Sequence, residues 1–311
     1  MKSALLCTVL LAVTAAAQEH LALREGILVD PSRPVAYVMT PEGGVAAIDL
    51  QTGATEWSTM AAARPLVLVG DLLLCQQEPA TAEARHNLLL VVLDVVQKGA
   101  VTAGASVELP DSVWAAVTET LRGTLYVEGR RTGSGTAAVL WQFVPALVRG
   151  TTPSPEEDAL TEDLQLETGG AARMNLVTGD VKDIPLRHPE IGRQPAWVIA
   201  GSENDDQSSA DYRSVDRKHI LRSERIADDR TWAKYQWTIR AKTGRKVGSI
   251  RTFLAFTPFV VRQNVLVFDT TPYAVGDDVQ PAKLRGFRLA TGKEVWSVPV
   301  REFVFRGPTP P

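Results

Sequence analysis

Two acidic clusters combine residue types that bind calcium through side-chain oxygens. They are Asn204-Asp205-Asp206 with Asp211, and Gly276-Asp277-Asp278. Ca²⁺ needs several oxygen ligands at close quarters, and a dedicated calcium loop alternates its Asp residues and closes on a Glu. Neither cluster has that spacing. We therefore expect both clusters to be solvated turns and assign no metal ligand, with calcium left open as an alternative.

Residues that could act as nucleophiles or transition-metal ligands are few and scattered. The four His residues lack the spacing of a metal site; they are His20, His86, His188 and His219. Cys75 lies in an apolar run and has no partner if Cys7 leaves with the N-terminal segment, which predicts a buried, inert thiol. No Gly-x-Ser-x-Gly, His-Glu-x-x-His or phosphate-loop motif occurs. The sequence therefore predicts no catalytic residue.

A repeated turn motif is the strongest pattern in the chain. One copy spans 47–57 and another spans 286–296, and each has an apolar strand, a Thr-Gly turn and a Trp four residues after the Gly. The motif residues are Asp49, Thr52, Gly53 and Trp57 in the first copy, and Thr291, Gly292 and Trp296 in the second. Gly supplies the positive φ that a hairpin turn needs. Both copies therefore predict hairpins whose Trp covers a gap between packed sheets.

Three weaker copies of the motif align on a glycine at the same point of the pattern. These glycines are Gly99, Gly179 and Gly244, and the residues at the Trp position are Ala103, Asp183 and Gly248. The motif therefore recurs along most of the chain, although the Trp is present only twice. A repeated four-stranded unit with two apolar faces is typical of a β-propeller.

The pattern Ala-x-Asp-x-x-Thr-Gly-x-x-x-Trp resembles the tryptophan-docking repeat of pyrroloquinoline-quinone-type β-propellers. The copy at 47–57 matches in full, whereas the copy at 286–296 has Gly286 and Arg288 in place of the Ala and Asp. The resemblance implies an all-β fold in which the Trp residues are structural. The alternative is a set of ordinary hairpin turns in another all-β fold.

The quinone-dependent enzymes of that family carry further features that can be compared with this chain. The resemblance implies a vicinal Cys pair, a calcium ligand set and a catalytic Asp in those enzymes. No Cys pair occurs here, and Asp49 and Asp94 belong to the repeat turn, so no catalytic Asp can be carried over. We therefore predict no cofactor, with pyrroloquinoline quinone left open.

The strand pattern predicts an all-β β-propeller of four-stranded blades. Twenty predicted strands group in fours, which gives five blades, with six or seven as the alternative. The third group is Val113–Thr118, Thr124–Glu128, Ala138–Val148 and Val181–Leu186, and the fourth begins with Ala196–Ala200. An acidic loop insertion is predicted at 150–170, bounded by Gly150 and Gly169-Gly170. We also expect Glu302–Phe305 to pack on the first blade and close the ring.

The N-terminus has the features of a signal peptide. A positive Lys2, an apolar run and Ala15-Ala16-Ala17 predict cleavage after residue 17, which leaves 18–311 as a single exported domain in the periplasm or outside the cell. A retained N-terminal anchor is the alternative. No second run is long enough to span a bilayer, and a net charge of −3 argues against nucleic acid as a partner.

These features favour an exported, non-catalytic propeller that acts as a binding or scaffolding platform. Non-enzymatic members of the family, such as propeller lipoproteins that assist outer-membrane assembly, support this class by resemblance. We expect a protein or envelope partner that is recognised by loops including 150–170 and 201–217. We also expect the protein to be a monomer and its source to be a bacterium. The alternatives are a small-propeller enzyme, either a quinone-dependent dehydrogenase or a glycoside hydrolase, and a small-ligand sensor or carrier.

Overall fold

The computed structural model describes an all-β protein. The described residues are 21–78, 87–110, 123–145, 169–185, 211–229, 232–252, 254, 257–262, 265–270, 273–275, 278–280 and 282–301. Within these ranges every regular element is a β-strand. The all-β prediction is therefore confirmed for the part of the chain that the structure describes.

The described strands form five antiparallel sheets of four or five strands and one separate two-stranded hairpin, and within each of the five sheets the strands are hydrogen-bonded in chain order. Sheet 1 contains β1 (Leu21–Arg24), β2 (Ile27–Val29), β3 (Val35–Met39), β4 (Val45–Asp49) and β5 (Thr55–Thr59). Sheet 2 contains β6 (Arg64–Val69), β7 (Leu72–Gln76), β8 (Asn87–Asp94) and β9 (Ala100–Glu108). Sheet 3 contains β10 (Gly123–Gly133), β11 (Thr136–Pro145), β12 (Gly169–Asn175) and β13 (Val181–Ile184).

The two remaining sheets follow the same order. Sheet 4 contains β14 (Asp211–Arg213), β15 (His219–Asp229), β16 (Trp232–Ala241) and β17 (Lys246–Thr252). Sheet 5 contains β18 (Phe259–Arg262), β19 (Val265–Thr270), β22 (Lys283–Arg288) and β23 (Lys293–Pro299), with the hairpin of β20 (Tyr273–Val275) and β21 (Asp278–Gln280) between β19 and β22. Such four-stranded antiparallel sheets are consistent with a β-propeller.

Sheet 2 shows how alternation along a strand builds two cores. On β7, Leu74 lies in a core shared with sheet 3, whereas Leu73 and Cys75 lie in a core shared with sheet 1. Successive side chains of a strand point to opposite faces. A continuous apolar run such as Leu72–Cys75 therefore supplies both faces at once, which explains why the central strands lack a polar face.

The cores join the sheets in a definite order. Sheet 2 shares cores with sheets 1 and 3, and sheet 5 shares cores with sheets 1 and 4. The first and last sheets therefore pack together, and Val300 and Trp296 of the C-terminal part lie in the same core as Ile48 of sheet 1. Among the described residues, no core cluster contains members of both sheet 3 and sheet 4.

The third sheet differs from the prediction in its strand order. Gly169–Asn175 forms the third strand, so the segment after Pro145 connects the second and third strands, and not the third and fourth. We expected a loop at Gly169-Gly170, but Gly170 pairs with Trp141, and a Cβ at Gly170 would collide with the Trp141 ring. The glycine therefore fits a strand beside a large side chain. Val113–Thr118, Ala196–Ala200, Glu302–Phe305 and residues 151–168 lie outside the described residues.

Candidate functional site

The five turn glycines occupy one equivalent position in the five sheets. Each lies between the last two strands of its sheet and has positive φ: Gly53 (73°), Gly99 (78°), Gly179 (81°), Gly244 (83°) and Gly292 (68°). A residue with a Cβ adopts this conformation at a cost of roughly 1–2 kcal/mol. The glycines therefore fix where each hairpin reverses.

Acidic or amide side chains hold three of these turns. The Oδ1 atom of Asp49 accepts hydrogen bonds from the backbone N–H of Gln51 at 3.0 Å and of Thr52 at 2.7 Å, and from the Thr52 hydroxyl at 2.7 Å. Asp94 and Asn175 accept the same pair of backbone N–H bonds in sheets 2 and 3. The repeat Asp thus serves turn geometry through its local acceptor.

A β-bulge follows the turn in four of the five sheets. The extra residue is always the third after the glycine: Glu56, Thr102, Val247 or Val295. The pairing of β12 with β13 has no register shift. A bulge twists its strand locally. The next residue, fourth after the glycine, is the one that contacts the neighbouring sheet.

Trp296 and Trp57 make the two largest of these contacts. Trp296 of sheet 5 lies on the turn of sheet 1, where a Cβ added at Gly53 would be 2.6 Å from the Trp296 Cβ. The Trp296 indole N–H also donates to the carbonyl of Leu50 at 2.9 Å. Trp57 of sheet 1 covers Gly99 of sheet 2 in the same way, with 2.6 Å between an added Cβ and Cε3 of its ring. Both rings are buried.

Smaller residues fill the equivalent position in two other sheets. A Cβ added at Gly179 would lie 3.7 Å from the Ala103 Cβ and 2.9 Å from the Gly104 carbonyl oxygen. A Cβ added at Gly248 would lie 2.7 Å from the carbonyl oxygen of Leu289. The backbones approach directly at these junctions, so no space for a Trp exists.

The junction from sheet 3 to sheet 4 lacks this contact. Asp183 holds the docking position of sheet 3 and is exposed. A Cβ added at Gly244 would meet no described atom within 4 Å. Among the described residues, four junctions therefore share one docking geometry, and the junction from sheet 3 to sheet 4 does not share it.

Asp30 and Arg33 connect sheet 1 to sheet 2. Asp30 is fully buried and accepts hydrogen bonds from the Arg33 side chain at 2.7 Å and the Tyr37 hydroxyl at 3.1 Å, while Arg33 also reaches Asp71 at 3.1 Å. Burial opposes ionisation of Asp30, but the hydrogen bonds from Ser32 and Arg33 outweigh burial and lower its pKa. Burial also raises the pKa of Tyr37.

Arg64 links three sheets from the first strand of sheet 2. Its buried guanidinium contacts Glu25 in the β1–β2 turn and donates to the Val127 carbonyl of β10 at 2.9 Å. Burial lowers the pKa of Arg64, and the neighbouring Glu25 opposes that change. This arrangement brings together the first strands of sheets 2 and 3 and the first turn of sheet 1.

Asp216 connects sheets 4 and 5. It accepts a hydrogen bond from the Ser214 hydroxyl at 2.6 Å and lies 3.7 Å from Arg262 of β18. Burial lowers the pKa of the nearby His219, and Asp216 partly opposes this. Sequence reasoning missed Asp30, Arg64 and Asp216, although Asp30-Pro31-Ser32 carries a turn signal that could have drawn attention to Asp30.

The described residues among those considered for chemistry are not brought together. Asp211 lies in β14 and Asp278 in β21, and the other members of the two acidic clusters lie outside the described residues. Within the described part, no group of three His, Cys, Asp or Glu side chains could hold a metal ion. Cys75 is fully buried, and burial raises the pKa of its thiol. His20, His86 and His188 are likewise outside the described residues.

The most exposed large apolar side chains described in sheets 2 and 3 lie at the tips of the repeat turns. Val96 is 63% exposed and Val177 is 69% exposed. Each lies two residues after the turn-capping Asp94 or Asn175. The equivalent positions of the other sheets are Gln51, Lys242 and Ala290. Only sheets 2 and 3, which share a core, therefore present a large apolar side chain at this position.

Comparisons with known proteins give limited guidance. No family model and no curated protein matches the chain. A europium-containing methanol dehydrogenase is similar at 11% identity and TM-score 0.24, over 88% of this chain and 68% of that one. An apocarotenoid oxygenase variant from Synechocystis is 9% identical with a TM-score of 0.27, over 85% of this chain and 57% of that one. U3-55K is 8% identical with a TM-score of 0.27, over 93% of this chain and 86% of that one. Likenesses this weak leave the family resemblance a prediction.

No helix among the described residues has the length and apolarity to cross a bilayer.

Proposed function

We propose that the protein is an exported, non-catalytic five-bladed β-propeller that binds a protein partner of the cell envelope. In this proposal the five sheets are blades, the residues after the signal peptide work in the periplasm or outside the cell, and no quinone or calcium is required. Four docked junctions support the propeller arrangement. The proposal includes closure of the ring between sheets 3 and 4.

The observation that carries the binding role is the pair Val96 and Val177. Each valine is exposed two residues after the capping residue of its turn, and the two sheets that carry them share a core. Single exposed apolar residues are ordinary, whereas a contiguous apolar patch marks a recognition surface, and in this proposal both valines contribute to one. The turns beneath them are held by Asp94 and Asn175, so the surface is presented on a fixed backbone.

The buried ionic groups support an architectural use of the polar interior. Arg64 with Glu25 and Asp216 with Arg262 each join one sheet to another, and Arg33, paired with buried Asp30 in sheet 1, reaches Asp71 of sheet 2. Charges used in this way fix the relation between sheets and their turns. A rigid arrangement of turns suits a platform for a partner, since loops on a rigid scaffold often carry recognition.

Photo-cross-linking in the source cells tests the proposal. A photoreactive residue would replace Val96 or Val177, and the matched controls would carry it at Gln51 or Lys242, which occupy the same turn position in sheets 1 and 4. We expect one shared cross-linked protein from positions 96 and 177 and none from the controls. Cross-links of equal strength from all four positions, or none from 96 and 177, would overturn the proposal.

A further inference from the structure

Among the described residues, one edge of strand β9 has no ladder partner, although the Gly179 turn of sheet 3 contacts Gly104 near the middle of the strand. Strand β9 is the last strand of sheet 2, and its nine residues make it longer than the final strands of the other sheets: β5 with five, β13 with four, and β17 and β23 with seven each. Its ladder partner among the described residues is β8. A free strand edge presents backbone N–H and C=O groups that can pair with another chain.

The edge of β9 carries the bulge at Thr102 but lacks charge, proline and shortness as protection against pairing. Edge strands are commonly protected by charged side chains, proline or shortness. The first eight residues of β9, Ala100 to Val107, contain no charge and no proline. The other final strands carry charges: Glu56 in β5, Lys182 and Asp183 in β13, Lys246 and Arg251 in β17, and Lys293 and Glu294 in β23. β9 is therefore the longest of the five final strands and has an uncharged centre.

The two faces of β9 differ in a way that fixes its orientation. Ala103, Ala105 and Val107 contribute to the core shared with sheet 3. Thr102, Gly104 and Ser106 are exposed and small. Val101 is 54% exposed beside them. An added strand would find one face already anchored in a core and the other with room for its side chains.

We propose that β9 pairs antiparallel with β9 of a second copy of this chain. The charges at the two ends of β9 favour a second copy of this chain as the partner and an antiparallel direction of pairing. Exposed Lys98 precedes the strand and exposed Glu108 ends it. In a two-fold antiparallel pair centred near Ala103 or Gly104, Glu108 of each copy lies beside the turn that carries Lys98 of the other. A parallel pair would instead place like charges together.

This inference stands apart from the proposed partner-binding role and revises the monomer expected from sequence. Two-fold contacts are self-complementary, so one strand that matches itself is sufficient to make a dimer. The uncharged centre and oppositely charged ends of β9 satisfy that condition.

The mass of the purified full chain in solution tests the pairing. Light scattering after size exclusion should give twice the chain mass. Ser106→Lys places a charge on the β9 edge, and we expect it to weaken dimerisation by at least about tenfold. Ser297→Lys is the matched control, because it adds the same charge at an exposed position of β23. It should leave the dimer intact, and thermal unfolding should show that both variants fold.

A charge exchange tests the direction of pairing. Lys98→Glu alone and Glu108→Lys alone should each weaken the dimer, because each brings like charges together at both ends of the pair. The double variant should restore it. A monomeric wild type, a dimer that survives Ser106→Lys, or a double variant no better than the single ones would each overturn the proposal.

Discussion

Adding one methyl group at Gly53 should destabilise the protein far more than adding it at Gly244. Both glycines have positive φ, 73° and 83°, so Gly→Ala costs roughly 1–2 kcal/mol of backbone strain at each. At Gly244 no described atom lies within 4 Å of the added carbon, whereas at Gly53 it would be 2.6 Å from the Trp296 Cβ. That overlap adds about 1–3 kcal/mol.

The expected free energies of unfolding therefore separate the two variants. Gly244→Ala should lose about 1–2 kcal/mol and Gly53→Ala about 2–5 kcal/mol. Urea unfolding followed by far-ultraviolet circular dichroism measures both without relying on Trp fluorescence. Gly99→Ala, which meets the Trp57 ring, should resemble Gly53→Ala.

A double-mutant cycle isolates the docking contact. Trp296→Ala alone should cost about 3–5 kcal/mol, because it empties a buried site and removes the donor to Leu50. In that background the ring atoms are gone but the Cβ of residue 296 stays about 2.6 Å from the added carbon. Gly53→Ala should therefore cost less than in the wild type, but more than the strain of about 1–2 kcal/mol alone. Equal losses for Gly53→Ala and Gly244→Ala, or simple additivity in the cycle, would refute the reasoning.

Three further predictions concern Asp30, Cys75 and the cofactor. Asp30→Ala should cost about 3 kcal/mol in chemical unfolding, since Arg33 and Tyr37 lose a buried acceptor. The folded pKa of Asp30 is lowered, so its stabilisation is complete above the unfolded pKa of about 3.9 and is lost as the pH falls through the folded value. Asp30→Asn should therefore show a shallower loss of melting temperature in acid, and a loss as steep as that of wild type would contradict this. Cys75 should react with maleimide only after unfolding, as mass spectrometry would show, whereas labelling in native buffer would contradict its burial. Pyrroloquinoline quinone and Ca²⁺, separately or together, should leave the melting temperature unchanged, and a saturable rise would instead favour a dehydrogenase.

The sequence was most informative where the required residue depends on local backbone geometry. Gly53 and Gly292 mark turns because positive φ restricts the choice of residue there. The alternating and continuous apolar segments predicted the all-β class for the same kind of reason. β12 was missed because its first two residues are glycines, and their use depends on Trp141 of the neighbouring strand.

Contacts between sheets were beyond the reach of sequence reasoning. Arg64 contacts Glu25 and Val127, which are distant from it in the chain, and no local pattern specifies either partner. The docking position was also ambiguous in the weak copies. Ala103 and Gly248 lie at junctions where the backbones approach closely, whereas Asp183 lies in a sheet without the bulge. These differences depend on three-dimensional packing.

Among the described residues the junction between sheets 3 and 4 has no docking contact, so the series of packed sheets begins at sheet 4 and not at the first sheet of the chain. The described contacts run from sheet 4 through sheets 5, 1 and 2 to sheet 3. Inside that series the last described residue returns to sheet 1, where the Arg301 N–H donates to the Met39 carbonyl at 3.0 Å. A circular permutant that joins the ends by a linker and opens within residues 186–210 would retain all four docked junctions. Opening instead between sheets 1 and 2 would place the new termini at the junction held by Trp57 and Arg33.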